Sequence, residues 1–180
     1  MKTERVIIDG LGGQGVLLAG RLLGHAAVAA GLSATFLPSY GAEVRGGTAH
    51  CEVVIAREPV KSPLVERPTT VLLLAQQSFE RLRDAIPPGC ALLVNSSLVE
   101  AASLDGEVRL VRVPASRIAD EIGLPNAVNM VMLGAFVGLT GIPSLETMED
   151  ALKAILPPRH HQSIPGNMAA LEQGGAALSR

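Results

Sequence analysis

The stretch RVIIDGLGGQG, residues 5–15, leaves the backbone little choice. Val6, Ile7 and Ile8 are consecutive β-branched apolar residues, so Arg5–Asp9 reads as a strand buried on both faces. Gly10, Gly12 and Gly15 follow at the spacing G-x-G-x-x-G. Residues 14–30 then read as a helix, with apolar or small residues three and four apart (Val16, Leu17, Gly20, Leu23, Gly24, Ala27) and Gly31 as terminator. A strand delivered into a glycine turn and a helix aims backbone N–H groups and the positive end of the helix at an anion. In such a unit Gly10 permits the tight turn, Gly12 lets a ligand approach and Gly15 permits close helix–strand contact, while Gly13 and Gln14 open the loop. Gly20 and Gly24 each cost about 1 kcal/mol of helix propensity relative to Ala. Small residues at that spacing let the helix approach the sheet or another helix closely.

Downstream, strand and helix patterns alternate. Strands are expected at 34–37 (stopping at Pro38), 48–56, 70–75, 90–97 and 107–114, and helices at 76–86, 116–122, 126–140, 144–156 and 165–178. REPVKSPLVERP, residues 57–68, is polar and proline-broken, which suits a loop. Strands apolar on both faces, alternating with helices, predict an α/β fold. It is a three-layer, Rossmann-like, open and mostly parallel sheet with helices on both faces, in a single domain spanning 1–180.

The glycine loop alone suggests a dinucleotide, but an NAD site wants an Asp or Glu about 20 residues on, and an NADP site an Arg. No acidic residue lies between Leu11 and Ala42, and the second strand runs into Leu37-Pro38-Ser39-Tyr40. The one nearby cation, Arg21, is on the first helix. A stand-alone NAD-type protein is therefore the weaker alternative, alongside a non-catalytic assembly module of the same fold.

A second loop, SYGAEVRGG (39–47), brackets Glu43 and Arg45 with Gly41, Gly46 and Gly47. At the carboxyl ends of the first strands it would lie beside the first loop, where open α/β sheets bind ligands. There Arg45 can serve an anion, Ser39 and Tyr40 can donate hydroxyls, and Gly46-Gly47 allow backbone approach. Equally, it is a solvated turn with a Glu43–Arg45 surface pair worth a few tenths of a kcal/mol.

Together the loops, GLGGQGVLLAGRLL followed about 20 residues on by PSYGAEVRGGTAHCEVVIA, resemble the gamma subunit or gamma domain of the 2-oxoacid:ferredoxin (acceptor) oxidoreductases. That group includes pyruvate, 2-oxoisovalerate, 2-oxoglutarate and indolepyruvate enzymes. ADEIGLPNAVNMVMLGAFVGLTG (119–141), with Asn126 and Asn129, extends the resemblance from Ile7 to about Gly141. The resemblance implies a complex that oxidatively decarboxylates a 2-oxoacid to an acyl-CoA, using thiamine diphosphate, 4Fe-4S clusters and coenzyme A. Its implied partners are alpha and beta (thiamine-binding) subunits and a ferredoxin-like delta subunit, with ferredoxin as electron acceptor. The gamma piece itself is expected to hold neither the diphosphate nor a cluster. It would pack over the thiamine-bearing subunits and help form the coenzyme A path, with Arg45 and the N–H groups of Gly12–Gly15 facing an anion or a partner. No residue is assigned a catalytic role and no metal site is expected.

The other polar residues are less distinctive. Asn95, at a strand end before Ser96 and Ser97, can line the crevice or cap the next helix. Asn126 and Asn129, three apart on an apolar helix, would share a face and need partners if buried, which an inter-subunit contact would supply. Met130, Met132, Leu133, Phe136 and Val137 make that helix a core helix. His50 and Cys51 are adjacent on a strand and point to opposite faces, which argues against a Cys–His nucleophile. His160-His161 reads as a solvated turn. Cys51 and Cys90 read as buried thiols in a reducing compartment. Net charge is −2 and aromatic content 2%, which excludes an electrostatic or stacking role on nucleic acid. The longest apolar stretch, 130–141, is far short of the roughly 20 residues of a membrane span. A cytoplasmic location is the expectation.

Overall fold

A computed structural model of the chain describes residues 2–40, 47–101 and 107–179. Six strands form one sheet: β1 (Glu4–Leu11), β2 (Ser33–Tyr40), β3 (Thr48–Ala56), β4 (Thr70–Leu73), β5 (Ala91–Asn95) and β6 (Arg109–Val113), in the order β2-β3-β1-β4-β5-β6. β1, β4, β5 and β6 are parallel to one another. β3 is antiparallel to both β1 and β2. The sheet is thus mixed and mostly parallel, as its both-face-apolar strands imply, with an antiparallel β2–β3 hairpin inserted beside β1.

The helices are α1 (Val16–Ala29), α2 (Gln76–Leu82), α3 (Ala115–Glu121), α4 (Val128–Thr140), α5 (Leu145–Ile155) and α6 (Ile164–Ala176). Both faces of the sheet are covered, but unequally. One face, with Val6, Ile8, Val53, Ile55, Leu72 and Leu93, packs beneath α1 and α3–α6 in a single large core. The opposite face, with Val71, Leu73, Leu92 and Val94, carries α2 through Phe79. α4 is buried along Asn129–Val137, which explains a sequence apolar almost all round.

Several element ends shift by a few residues from expectation, and one shift has a plain physical cause. β2 does not stop at Pro38. It runs on to Tyr40, with Pro38 opposite Cys51, because β2 is a sheet edge where a missing N–H need leave no ladder bond unmade. The turn at His160-His161 is exposed, and takes the form of a short 3-10 helix, Pro158–Ser163, leading into α6. The small residues of α1 do what their spacing suggests. A Cβ at Gly20 would lie 2.9 Å from the Phe36 ring as well as against Cys51 Sγ, so α1 can lie this close to β2 and β3 only with glycine there.

Candidate functional site

The glycine loop sits at the carboxyl end of β1, beside the end of β4. Its shape is fixed largely from within. Leu11 N–H donates to Gln14 Oε1 (2.7 Å), Gln14 N–H donates to the Leu11 carbonyl (3.1 Å), and Gln14 Nε2 reaches the Leu74 carbonyl (3.4 Å). Gln14 therefore cross-braces the loop, and does not simply widen it. Gly10 lies inside β1, not in the turn. A Cβ there would come within 2.7 Å of Gln14 Oε1 and 3.0 Å of Leu74 Cβ, so it is close packing that requires glycine.

Gly12 is approached by the chain itself. Its N–H donates to the Gly47 carbonyl at 2.9 Å, which ties the first loop to the second. Gly13 (φ 94) and Gly15 (φ 74) occupy the left-handed region that favours glycine. Gly15 caps α1, and the group packed against it is Asn129 of α4, not a strand: a Cβ at Gly15 would lie 2.8 Å from Asn129 Cγ. The N–H groups of Gly13, Gly15, Val16, Leu17 and Leu18 have no acceptor among the described residues. α1 also has no side-chain cap and no acidic residue in its first turn. What remains open is the positive end of a 14-residue helix, suited to an anion.

Of the second loop, its last residue, Gly47, and its flanking strands are described next to the first loop. Thr48, at the start of β3, pairs with Leu11, and the exposed Ser39 of β2 lies opposite the half-buried His50 of β3. The backbone of Tyr40 pairs with Ala49. Gly41, Glu43, Arg45 and Gly46 lie outside the described residues.

The asparagines separate. Asn129 is 4% exposed and its Nδ2 donates to the Gly15 carbonyl at 3.1 Å, so its partner is in its own chain. Asn126 is not on the same helical face. It belongs to the 3-10 turn Pro125–Ala127 and lines a different, shallow cleft of about 400 Å³ with Gln162, Ser163 and Asn167. Asn95 is fully buried and its side chain is spent internally. Oδ1 accepts from the N–H groups of Ser97 and Ser116, and Nδ2 donates to Ser116 Oγ, which favours the capping alternative over a crevice lining. Asn129→Ala is expected to cost about 1 kcal/mol of stability. It should also speed amide exchange at Gln14 and Ala19, whose N–H groups are bonded to the Leu11 and Gly15 carbonyls, and unchanged exchange there by hydrogen-exchange mass spectrometry would count against that role.

Behind the two loops lies a charge cluster for which the sequence reading made no provision. Asp9, two residues before the end of β1, has no exposed surface. Its Oδ2 binds His50 Nδ1 at 2.7 Å and Arg81 Nη2 of α2. His50 Nε2 in turn lies 3.6 Å from Glu52 Oε1, and Glu52 Oε2 accepts from Val65 N–H at 2.6 Å. Asp9 Oδ1 is buried with no partner within hydrogen-bond distance among the described residues. Burial alone would push the Asp9 carboxyl up. Hydrogen bonds from His50 and Arg81, the nearby Ser78 hydroxyl and the Arg81 charge outweigh it and hold the carboxyl below its ordinary value. The hydrogen bond to Asp9 raises His50 above its ordinary value against the opposing effect of burial, with Glu52 adding to it. The clue in the sequence is an acidic residue closing an apolar strand, with His50 and Glu52 two apart on a strand and so on one face. Cys51, on the other face, is no nucleophile: burial pushes its thiol up to about 12. Cys90 is likewise pushed up to about 11 by burial.

The topology bears on the dinucleotide question. In a dinucleotide fold the strand that carries the ribose-binding acid runs parallel to β1 and beside it. Here that place is taken by β3, running antiparallel, and β2 is one strand further out. A ribose at the glycine loop would meet the start of β3, not an acidic strand end.

A family model described as pyruvate ferredoxin/flavodoxin oxidoreductase matches residues 5–177. The 2-oxoglutarate synthase subunit KorC of Methanocaldococcus jannaschii is 38% identical over 174 residues, covering 95% of this chain and 91% of the relative. The ketoisovalerate oxidoreductase subunit VorA of Methanothermobacter thermautotrophicus is 40% identical over 172 residues, and the match covers 94% of this chain but 35% of that longer one. Among solved structures, the gamma subunit of a keto/oxoacid ferredoxin oxidoreductase from Geobacter sulfurreducens superposes with a TM-score of 0.81 at 29% identity, covering 98% of this chain and 99% of that one.

Proposed function

Because the chain belongs to the pyruvate ferredoxin/flavodoxin oxidoreductase family, we propose that it is the gamma-type subunit, a single domain, of a 2-oxoacid:ferredoxin oxidoreductase. The complex would oxidatively decarboxylate a 2-oxoacid to an acyl-CoA and pass the electrons to ferredoxin. Alpha and beta subunits would hold thiamine diphosphate, and a ferredoxin-like delta subunit would complete the electron path, in the cytoplasm. No helix among the described residues is long and apolar enough to cross a membrane.

The observation that carries this reading is the near end-to-end match to a subunit of similar length. The residues fit the implied division of labour. A 4Fe-4S cluster takes four thiolates, and this chain has two cysteines, both buried and both held as thiols. The glycine loop fits an anion well: the open N–H groups of Gly13, Gly15 and Val16–Leu18 are the candidates for a phosphate of coenzyme A. Coenzyme A, when bound, supplies the thiol that accepts the acyl group. This chain's part is to hold the carrier's anionic end through backbone donors that are already oriented.

Tagging the chain in its native cell tests the proposal. The expected result is co-purification of thiamine-binding partners with coenzyme-A-dependent dye reduction by at least one of several 2-oxoacids. A chain that emerges alone and inactive overturns it. On the isolated chain, coenzyme A should raise the melting temperature and NAD should not. Arg45→Ala is expected to lower the activity or recovery of the complex about tenfold, or about 1.4 kcal/mol, with melting unchanged. A large melting loss would instead assign Arg45 to a structural pair with Glu43.

A further inference from the structure

The outer edge of the sheet is unfinished. β2 is the terminal strand, and among the described residues no strand pairs with its free side, although Val60 N–H donates to Ser33 Oγ at its start. None of its residues Ser33–Ser39 is buried, although Phe36 and Leu37 are among them, whereas the neighbouring β3 buries Cys51 and Val53–Ala56. Beside β2, α1 presents Arg21, Gly24, His25 and Val28, three and four apart and therefore on one face. With Thr35 and Phe36 these residues line a mainly apolar groove of about 420 Å³. Val28 is 59% exposed in it, and Thr35 Oγ1 has no hydrogen-bond partner among the described residues.

Charge decides what fits. Arg21 and His25 are the charged or titratable side chains of the groove, and no acidic residue occurs between Leu11 and Ala42. A second copy paired through β2 would set the Arg21 charge against its own image. A copy offering its other edge strand, β6, would bring Arg109, which shares a face with Val111 and Val113, to the same side of the sheet. Both arrangements place like charges together, which costs free energy. A strand with acidic residues meets the groove with opposite charge and gives backbone partners to Ser33–Leu37, the part of the edge before Pro38.

We infer that the α1–β2 groove is a docking surface for an extended, acidic segment of a different polypeptide, which adds a strand to β2, seats an apolar side chain over Gly24 and sets carboxylates on Arg21 and His25. It rests on the subunit reading for the source of that polypeptide, a partner within the oxidoreductase complex. Gly24 supports the seat, because a Cβ there would meet nothing nearer than Phe36 Cβ at 3.7 Å, so the floor of the groove is backbone.

The test uses the tagged chain in its native cell with a benzophenone side chain in place of Val28, irradiated before purification and mapped by mass spectrometry. The expected cross-link is to an Asp/Glu-containing segment of a different chain. Arg21→Glu combined with His25→Glu should reduce recovery of that partner at least tenfold with an unchanged melting temperature, and Arg21→Lys should leave it intact. A cross-link to a second copy of this chain, or to a segment without acidic residues, overturns the proposal. So does wild-type recovery with the double variant. If the same preparation shows 2-oxoacid activity, the subunit reading survives that failure. An acidic segment captured without such activity keeps the docking surface and removes the subunit reading.

Discussion

Gly134→Ala is expected to destabilise the protein by about 3 kcal/mol, at the upper end of overpacking costs. A Cβ at Gly134 would land on the Leu171 carbonyl, and one at Gly174 on the Val131 carbonyl, so α4 and α6 cross backbone to backbone. The obstructing atoms are main chain and cannot rotate away, so the helices must part. That loosens the contacts of Met132, Leu133 and Phe136, all fully or almost fully buried. Replacing glycine by alanine inside a helix gains about 1 kcal/mol of propensity, which is too small to reverse the sign. For a chain of this size the melting temperature should fall by about 6–12 °C. Gly24→Ala is the matched control, because its Cβ finds ordinary van der Waals distance, and it should be neutral or mildly stabilising. Equal melting of the two variants would mean that the α4–α6 crossing is not as close as described.

The second large effect concerns Asp9. Asp9→Asn removes the buried charge and leaves His50 and Arg81 without their partner. Breaking buried pairs costs about 3–5 kcal/mol when the survivor stays buried. Here the survivors are partly hydrated, with side-chain exposures of 20% and 44%, so about 2 kcal/mol is expected. The pH dependence has a definite sign. Asp9 titrates lower in the folded protein than its ordinary 3.8, so its contribution is complete above that value and lost as pH falls through the folded value. His50 titrates above its ordinary 6.5, so its contribution is complete below 6.5 and lost as pH rises through the folded value. The cluster is therefore at full strength between 3.8 and 6.5. In Asp9→Asn the His50 ring should lose its upward shift, because burial then acts with less opposition. Following the His50 Cε1–H resonance against pH decides the point: an unchanged midpoint would rule out Asp9 as the cause.

The sequence made the frame of the fold readable and its wiring less so. Strands β1, β4 and β5 announce themselves because burial on both faces leaves consecutive Val, Leu and Ile. α4 does so because it is apolar all round. Direction is a different matter: nothing in TAHCEVVIA says whether it runs with β1 or against it, and that choice excludes a dinucleotide geometry more firmly than the missing acid does. Proline at 38 suggested a stop because edge position is a property of the sheet, invisible in the strand itself. At the site, glycine permits the φ > 0 of Gly13 and Gly15 but does not mark it, since Gly10 and Gly12 do not share it. Long-range partners are not marked either, since Gly12 meeting Gly47, Asn129 meeting Gly15 and Arg81 meeting Asp9 depend on chain topology. Paired asparagines three apart looked like one face until a 3-10 turn placed Asn126 elsewhere.

The bond from Asn129 to the Gly15 carbonyl spans 114 residues. At synthesis rates of about 5–20 residues per second, α4 is made several seconds after the glycine loop. During that interval the loop lacks the side chain packed against its helix cap, and the first α-helix has lost a tertiary anchor at its start. The glycine-loop end of the molecule is thus completed late on the ribosome. Any ligand or subunit that requires the finished loop meets a chain whose helical layer is already synthesised through α4, so assembly through this end follows synthesis and does not accompany it.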